Sequence, residues 1–254
     1  MTGDAATSPP AERYSDIVQR LAGAQKKRAR GAPAYSVYVN RPAGRRLAAI
    51  AYLAGLTPNV VSIISAGFTF GAIAVIAAAP AVPWVGVLVA ALLLIGYALD
   101  SSDGQLARLR GGGTPAGEWL DHVLDAAKTS ALHLAVLITF YLHFPITNAA
   151  WLLVPIGFTV VATVSFFAMI LNDQLKGRHA TAVEAPPRAS SPIRSLLGIP
   201  TDYGVLCLSF LTLGFPLVFL GVYTILFVAN AAYLLLALVK WFRDMGALVP
   251  GGKS

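Results

Sequence analysis

Between Asp100 and Asp125 the chain carries the pattern Asp-x2-Asp-Gly-x2-Ala-Arg-x8-Gly-x3-Asp-x3-Asp, whose fixed positions include four aspartates and one arginine, set between two long apolar runs. An aspartate at the centre of a membrane-spanning helix costs about 2.5 to 3.5 kcal/mol on insertion scales, so several clustered beside apolar segments read as a functional site. Asp100 and Asp103 stand three apart, and Asp121 and Asp125 four apart, so on helices each pair shares a face. The short turn over 109–116 predicts that these helices are antiparallel neighbours and that the two pairs face each other. Four carboxylates that close repel one another, and hard divalent cations such as Mg2+ or Mn2+ resolve the conflict. Asp100, Asp103, Asp121 and Asp125 are therefore the candidate metal ligands. Four carboxylates favour two metals over one, an arrangement suited to displacement at phosphorus.

The small residues of the pattern have a use as well. Gly104, Ala107 and Gly117 strip side chains from the faces between the carboxylates, so a flat ligand can approach the backbone closely. Arg108 adds a planar cation suited to phosphate oxygens. Gly111 to Gly113 read as a plain turn, Glu118 is placed on another face, and Lys128 sits where a buried cation contacts the carboxylates or a substrate phosphate.

Mean hydropathy is +0.67 and 12% of the 254 residues are charged, against roughly 25% in soluble domains. The composition is that of an all-α integral membrane protein. Apolar stretches long enough to cross about 30 Å of hydrocarbon occur near 59–79, 83–100, 120–141, 149–171, 202–220 and 222–240. These predict six transmembrane helices, with a bent hairpin as the alternative for the last two, which are separated by little beyond Gly221. Lys and Arg precede the first span, lie between the second and third and between the fourth and fifth, and follow the sixth, while the other loops hold none. That asymmetry puts both termini and the carboxylates on the cytoplasmic side of the cell membrane. The net charge of +7 accompanies the spans and forms no aromatic-interleaved stripe, so anionic lipid headgroups are the expected partners and nucleic acid is not. Cys207 is the single cysteine, in an apolar run, which excludes a disulfide and a cysteine-based zinc site.

Four segments follow from this reading. Residues 1–30 form a polar and basic surface tail, with no apolar stretch of a cleavable leader in its first dozen residues and a solvated or lipid-facing amphipathic helix over 13–30. Residues 31–57 form an interfacial amphipathic helix in which Arg41, Arg45 and Arg46 cluster. Residues 58–241 form the six-helix catalytic domain, with Thr57 capping and Pro58 opening its first helix. Residues 242–254 are a short cytoplasmic tail. The long connector over 172–201 holds Lys176, Arg178, Arg188 and Arg194 on the carboxylate side, and Arg188 and Arg194, with Lys128, are the candidates for binding an anionic acceptor.

The 26-residue motif resembles the signature of the CDP-alcohol phosphotransferase (CDP-alcohol phosphatidyltransferase) family and matches it at each fixed position. The resemblance implies that the four aspartates hold two divalent cations and that Asp125 is also the catalytic base. It implies that Gly104, Ala107, Arg108 and Gly117, with Asn59 at the entry to the first span, surround the CDP group, and that the protein is a homodimer. The expected reaction transfers a phosphate-linked group, in the first instance phosphatidyl from CDP-diacylglycerol, to a small alcohol with release of CMP in phospholipid biosynthesis. A soluble CDP-headgroup donor with a lipid or polyol-phosphate acceptor is the alternative. Asp121-His122 resembles the aminoalcohol branch, whereas the glycerol phosphate branch usually has Pro after that aspartate. A divalent cation transporter is the remote alternative, since such sites lie near the bilayer midplane.

Overall fold

A computed structural model describes residues 13–23, 33–179 and 201–248. Helix α1 spans Tyr14–Gly23, and a π-helical turn Ser36–Asn40 runs directly into α2, Arg41–Leu53. The long helices are α3, Pro58–Ala78; α4, Pro83–Leu109; α5, Pro115–His143; and α6, Leu153–His179, entered through a 3-10 turn. A short α7, Tyr203–Ser209, passes through a 3-10 turn before α8, Pro216–Gly246. No strand occurs among the described residues, and five helices are long and apolar enough to cross a membrane.

Proline and small hydroxyl residues start these helices. Pro58, Pro83, Pro115 and Pro216 each occupy the first helical position, where the missing N–H costs nothing. The Thr57 hydroxyl accepts from Val60 N at 3.3 Å, and Thr114 accepts from Gly117 N at 3.1 Å. Helix α4 is about 40 Å long at 1.5 Å per residue, and α5 about 43 Å, both beyond the hydrocarbon thickness of about 30 Å. Asp100 lies seventeen residues from Pro83, and Asp125 eighteen from His143, which is about 26 Å in each case. The carboxylates therefore sit at one edge of a membrane-thick bundle, away from its middle.

The core gathers α3, α4, α5, α7 and α8 around buried Leu93, Phe140, Phe210, Phe219 and Tyr223. His133 belongs to this layer, its Nδ1 2.6 Å from the Tyr223 hydroxyl and its ring stacked on Phe158 at 4.0 Å between centroids. Cys207 is fully buried there, as packing. A second layer packs Ile17 and Leu21 of α1 against Ala48 and Ala49 of α2 and Leu106 of α4. The expected solvated or lipid-facing helix over 13–30 is thus a packed helix as far as Gly23, because Ile17 and Leu21, one turn apart, find an alanine-lined surface on α2.

Three expectations change. The six apolar stretches fold as five long helices and one short one, so six crossings are not what the described residues display. The fifth stretch ends at Gly214, where a Cβ would lie 2.2 Å from Pro83 N, and Pro216 opens a new helix; Gly221 lies inside α8. Hydropathy could not find that break, because the stretch is apolar on both sides. Helix α6 continues to His179, so Asn172–His179 is helical and not connector, and Lys176 is drawn to Asp244 of α8 at 3.8 Å. Finally, α4 and α5 are not packed neighbours. Helix α3 packs against both, while α4 and α5 make almost no close backbone approach to each other. Arg188 and Arg194, the tail before Arg13 and the residues after 248 lie outside the described residues.

Candidate active site

Every fixed position of the motif falls in one of two helices, Asp100 to Arg108 in α4 and Gly117 to Asp125 in α5. The separation of those helices leaves room that side chains fill from both walls. Asp100, Asp103 and Asp121 each offer an oxygen within 4.8 Å of the others. Asp103 is 6% exposed and is fixed by Ser62 of α3, whose hydroxyl donates to Oδ2 at 2.5 Å, and by Gly104 N, which donates to Oδ1 at 2.5 Å. Asp125 stands apart from this trio. Its Oδ1 accepts from Lys128 Nζ at 3.1 Å, and the same nitrogen donates to Asp100 Oδ1 at 2.6 Å.

Three acid side chains with converging oxygens and no nitrogen or sulfur among them fit a hard divalent cation, which favours carboxylate oxygen. Lys128 is nine-tenths buried at this depth and is held by two carboxylates, as a charge in such a place must be.

Three cavities border the carboxylates, two of them lined by Arg108. The larger, about 690 Å³, is lined by Asn59, Asp103, Gly104, Ala107, Arg108, Gly117 and Asp121, so it gathers every residue expected around the CDP group. Its size suits a nucleoside diphosphate. The starts of α3 and α5 both face it, and the partial positive charge of a helix N-terminus favours phosphate there. The two glycines serve differently. A Cβ on Gly104 would meet nothing closer than Arg108 Nη1 at 3.6 Å, so its bareness opens cavity. On Gly117 a Cβ would stand 2.9 Å from Asn59 Oδ1, so there the bareness seats Asn59 against α5. Gly111 and Gly112 take φ of 98° and 129°, backbone that glycine enters freely, and Gly112 N bonds Ala107 O at 2.9 Å. They form a turn, as expected. Glu118 also lines this cavity, contrary to its expected placement on another face, while His122 lies beside Glu118 at 3.8 Å and edge-on to Phe166.

The second cavity, about 260 Å³, lies between α2 and α4 and brings Arg41 to Asp100, Asp103, Asp121 and Arg108. The sequence predicts Arg41 only as part of an interfacial basic cluster. Local backbone decides its position: it follows the π turn Ser36–Asn40, a feature that frequently marks functional sites. Asn40 Nδ2 donates to Tyr97 O at 3.2 Å, and Gln105 Nε2 donates to Arg41 O at 3.2 Å. Gly44 completes the approach, since a Cβ there would lie 2.8 Å from Ser101. Asp202 is a further residue outside the motif. It is 1% exposed; Oδ2 accepts from Tyr35 N at 2.8 Å and Ser36 N at 3.3 Å, and Oδ1 from Gly204 N at 3.0 Å. One carboxylate thus caps α7 and pins the start of the α2 segment to it. The only sequence signal for this was an acidic residue at the head of an apolar run.

No curated protein matches this chain. Two solved structures of Mycobacterium tuberculosis phosphatidylinositol phosphate synthase (PgsA1) are similar to it. One, in complex with manganese and citrate, is 20% identical, with 77% of this chain and 87% of that chain covered and a TM-score of 0.49. The other, with CDP-DAG bound, is 22% identical, with 80% and 94% covered and a TM-score of 0.48. The family described as CDP-alcohol phosphatidyltransferase matches residues 55–240, a stretch that takes in all five long helices apart from the end of α8, every carboxylate of the cluster and both walls of the larger cavity. A multi-pass membrane protein with that match over most of its length belongs to the CDP-alcohol phosphatidyltransferase family.

Proposed function

We propose that this protein is a membrane transferase that moves the phosphatidyl group of CDP-diacylglycerol to the hydroxyl of a small alcohol and releases CMP. The observation that carries the reading is the meeting of three carboxylates with a nucleotide-sized cavity at the edge of an apolar bundle. A lipid-linked CDP compound can place its headgroup in such a cavity while its chains stay among the spans. Arg41, Arg45, Arg46, Arg108, Arg110, Lys176 and Arg243 lie at the cluster's end of the helices, which supports a cytoplasmic active site. Exposed Tyr38, Val39, Ile50 and Leu53 support a membrane-surface position for the α2 segment. A homodimer rests on the family resemblance.

In this reading Asp100, Asp103 and Asp121 hold a divalent cation, Mg2+ or Mn2+, with Asp125 as a further ligand when a second is bound. The cation supplies positive charge that offsets the pyrophosphate and the charge developing on the leaving phosphate. Gly104, Ala107, Gly117 and Asn59 seat the nucleotide, and Arg108 and Arg41 hold phosphate oxygens by charge-assisted hydrogen bonds. Asp125 takes the acceptor's hydroxyl proton. That oxygen attacks the phosphorus distal to cytidine, the bond from this phosphorus to the bridging oxygen breaks, and CMP leaves with the bridging oxygen. Positioning and preorganised charge supply most of the rate in such transfers.

The test is acceptor-dependent CMP release. Purified protein with CDP-diacylglycerol, Mg2+ or Mn2+ and a panel of serine, inositol, inositol phosphate and glycerol 3-phosphate should release CMP with at least one acceptor. Excess EDTA should stop the reaction, and added metal restore it. Silence across the panel with folded protein overturns the phosphatidyl reading, and undiminished turnover in EDTA overturns the metal.

Arg41 gives a second test. Arg41→Ala should weaken binding of CDP roughly tenfold, the value of one hydrogen bond to a charged group at about 1.5 kcal/mol. CMP, which lacks the distal phosphate, should bind nearly as before. Equal losses for CDP and CMP would place Arg41 on the nucleoside side or make it structural.

A further inference from the structure

Lys128 lies one helical turn deeper in the bundle than Asp125. Asp121, Asp125 and Lys128 are spaced i, i+4 and i+7, so they run down one face of α5. The ammonium reaches across the gap to α4, 2.6 Å from Asp100 Oδ1 and 3.1 Å from Asp125 Oδ1. It divides the four carboxylates unequally. Asp100, Asp103 and Asp121 converge within 4.8 Å as a set for one divalent ion, while Asp125 is held, together with Asp100, by an amine.

A divalent ion joining Asp100 to Asp125 would compete with Lys128 Nζ, which already holds one oxygen of each. Charge points the same way. One divalent ion, Lys128 and Arg108 together balance the four carboxylates, and Arg41 adds one more positive charge. A second ion would leave the site in positive excess until a pyrophosphate arrived with its own negative charges. Lys128 also has somewhere to go. A cavity of about 200 Å³ is lined by Asp100, Asp125 and Lys128 with the hydroxyl-bearing Thr129, Tyr97 and Tyr203.

We propose that Lys128 is a built-in counter-ion filling the second cation position of the cluster, so that the donor-free protein takes up one divalent ion and admits another only when Lys128 withdraws from Asp100 and Asp125. The proposal rests on the metal-dependent reading above and refines it. The four carboxylates then act in sequence: three bind an ion at rest, and the fourth becomes available once the donor's phosphates enter.

Mn2+ alone, titrated into the purified full chain, reads this directly through calorimetric stoichiometry and through the spin-coupled resonance signal of paired Mn2+. Wild type should bind one Mn2+ per chain, and two when CDP is present. Lys128→Met should bind two without CDP and show the coupled signal. Two ions in wild type without nucleotide overturn the proposal, as does a single ion in folded Lys128→Met. Should Lys128→Met fail to fold, Lys128→Gln makes the same comparison with a polar side chain, and the wild-type count decides in either case. Folded wild type that binds no Mn2+ overturns the metal reading together with the proposal, an outcome distinct from the other two.

Discussion

Asp125→Asn should lower turnover by roughly 10²-fold or more, the usual contribution of a general base, while CDP binding suffers much less. The substitution keeps the side chain's shape and one carbonyl oxygen but removes the group that accepts the hydroxyl proton. Geometry makes this variant more informative than its neighbours. Asp125 is outside the trio of Asp100, Asp103 and Asp121, so the resting ion keeps its ligands, and the residue does not line the large cavity that would hold the nucleotide. Turnover and CDP affinity measured on the same preparation separate the roles. Near-normal turnover with collapsed CDP affinity would make Asp125 a binding residue and send the proton elsewhere. Asp103→Asn is the useful contrast, since its carboxylate belongs to the trio and should lose Mn2+ affinity along with activity.

The second large effect should be on stability. Asp202→Ala leaves the N–H groups of Tyr35, Ser36 and Gly204 without their acceptor. Unsatisfied donors cost about 1 to 3 kcal/mol each when buried, and with Tyr35 and Ser36 partly exposed a total of about 3 kcal/mol is expected. Thermal unfolding in detergent should show the loss, and protease should reach the segment before α2 more readily. Asp202→Asn keeps one acceptor oxygen and should fall between wild type and Ala. Activity should drop as well, because the pinned segment carries Arg41, and because Tyr35 stacks on Tyr97, which with Tyr203 lines a cavity beside Asp100, the centroids being 6.3 and 5.0 Å apart along the series. An unfolding midpoint equal to that of wild type would show the three donors finding other partners.

These two residues differ in how they could be found. Asp125 is part of a spacing that helical geometry turns into a shared face, so a reader of the sequence can place it without knowing what stands opposite. Asp202 bonds to Tyr35 and Ser36 across more than 160 residues of chain, and nothing near it in sequence announces them. Ser62 on Asp103 and Arg41 at the cluster belong with Asp202: each depends on how helices distant in sequence settle against α4. Gly117 shows the same limit in a residue that was found. Its type suggested room for a flat ligand, whereas Asn59 of α3 occupies the space directly over it.

The sequence by itself determined the membrane class, the start of α3 and the pairing of carboxylates along each helix. All of these follow from hydrophobic run length, proline and threonine at first turns, and side chains three or four apart, which are local quantities. Apolar length could not say where the run after Asp202 breaks, because the break is a packing event in which Gly214 lies against Pro83. Tertiary structure alone decided that α3 packs against both α4 and α5, whose own backbones stay apart, that Lys128 bridges the gap between them, and that three carboxylates rather than four converge. Helical periodicity fixes which side chains share a face but not the distance between two faces, and in this site that distance settles which charges meet.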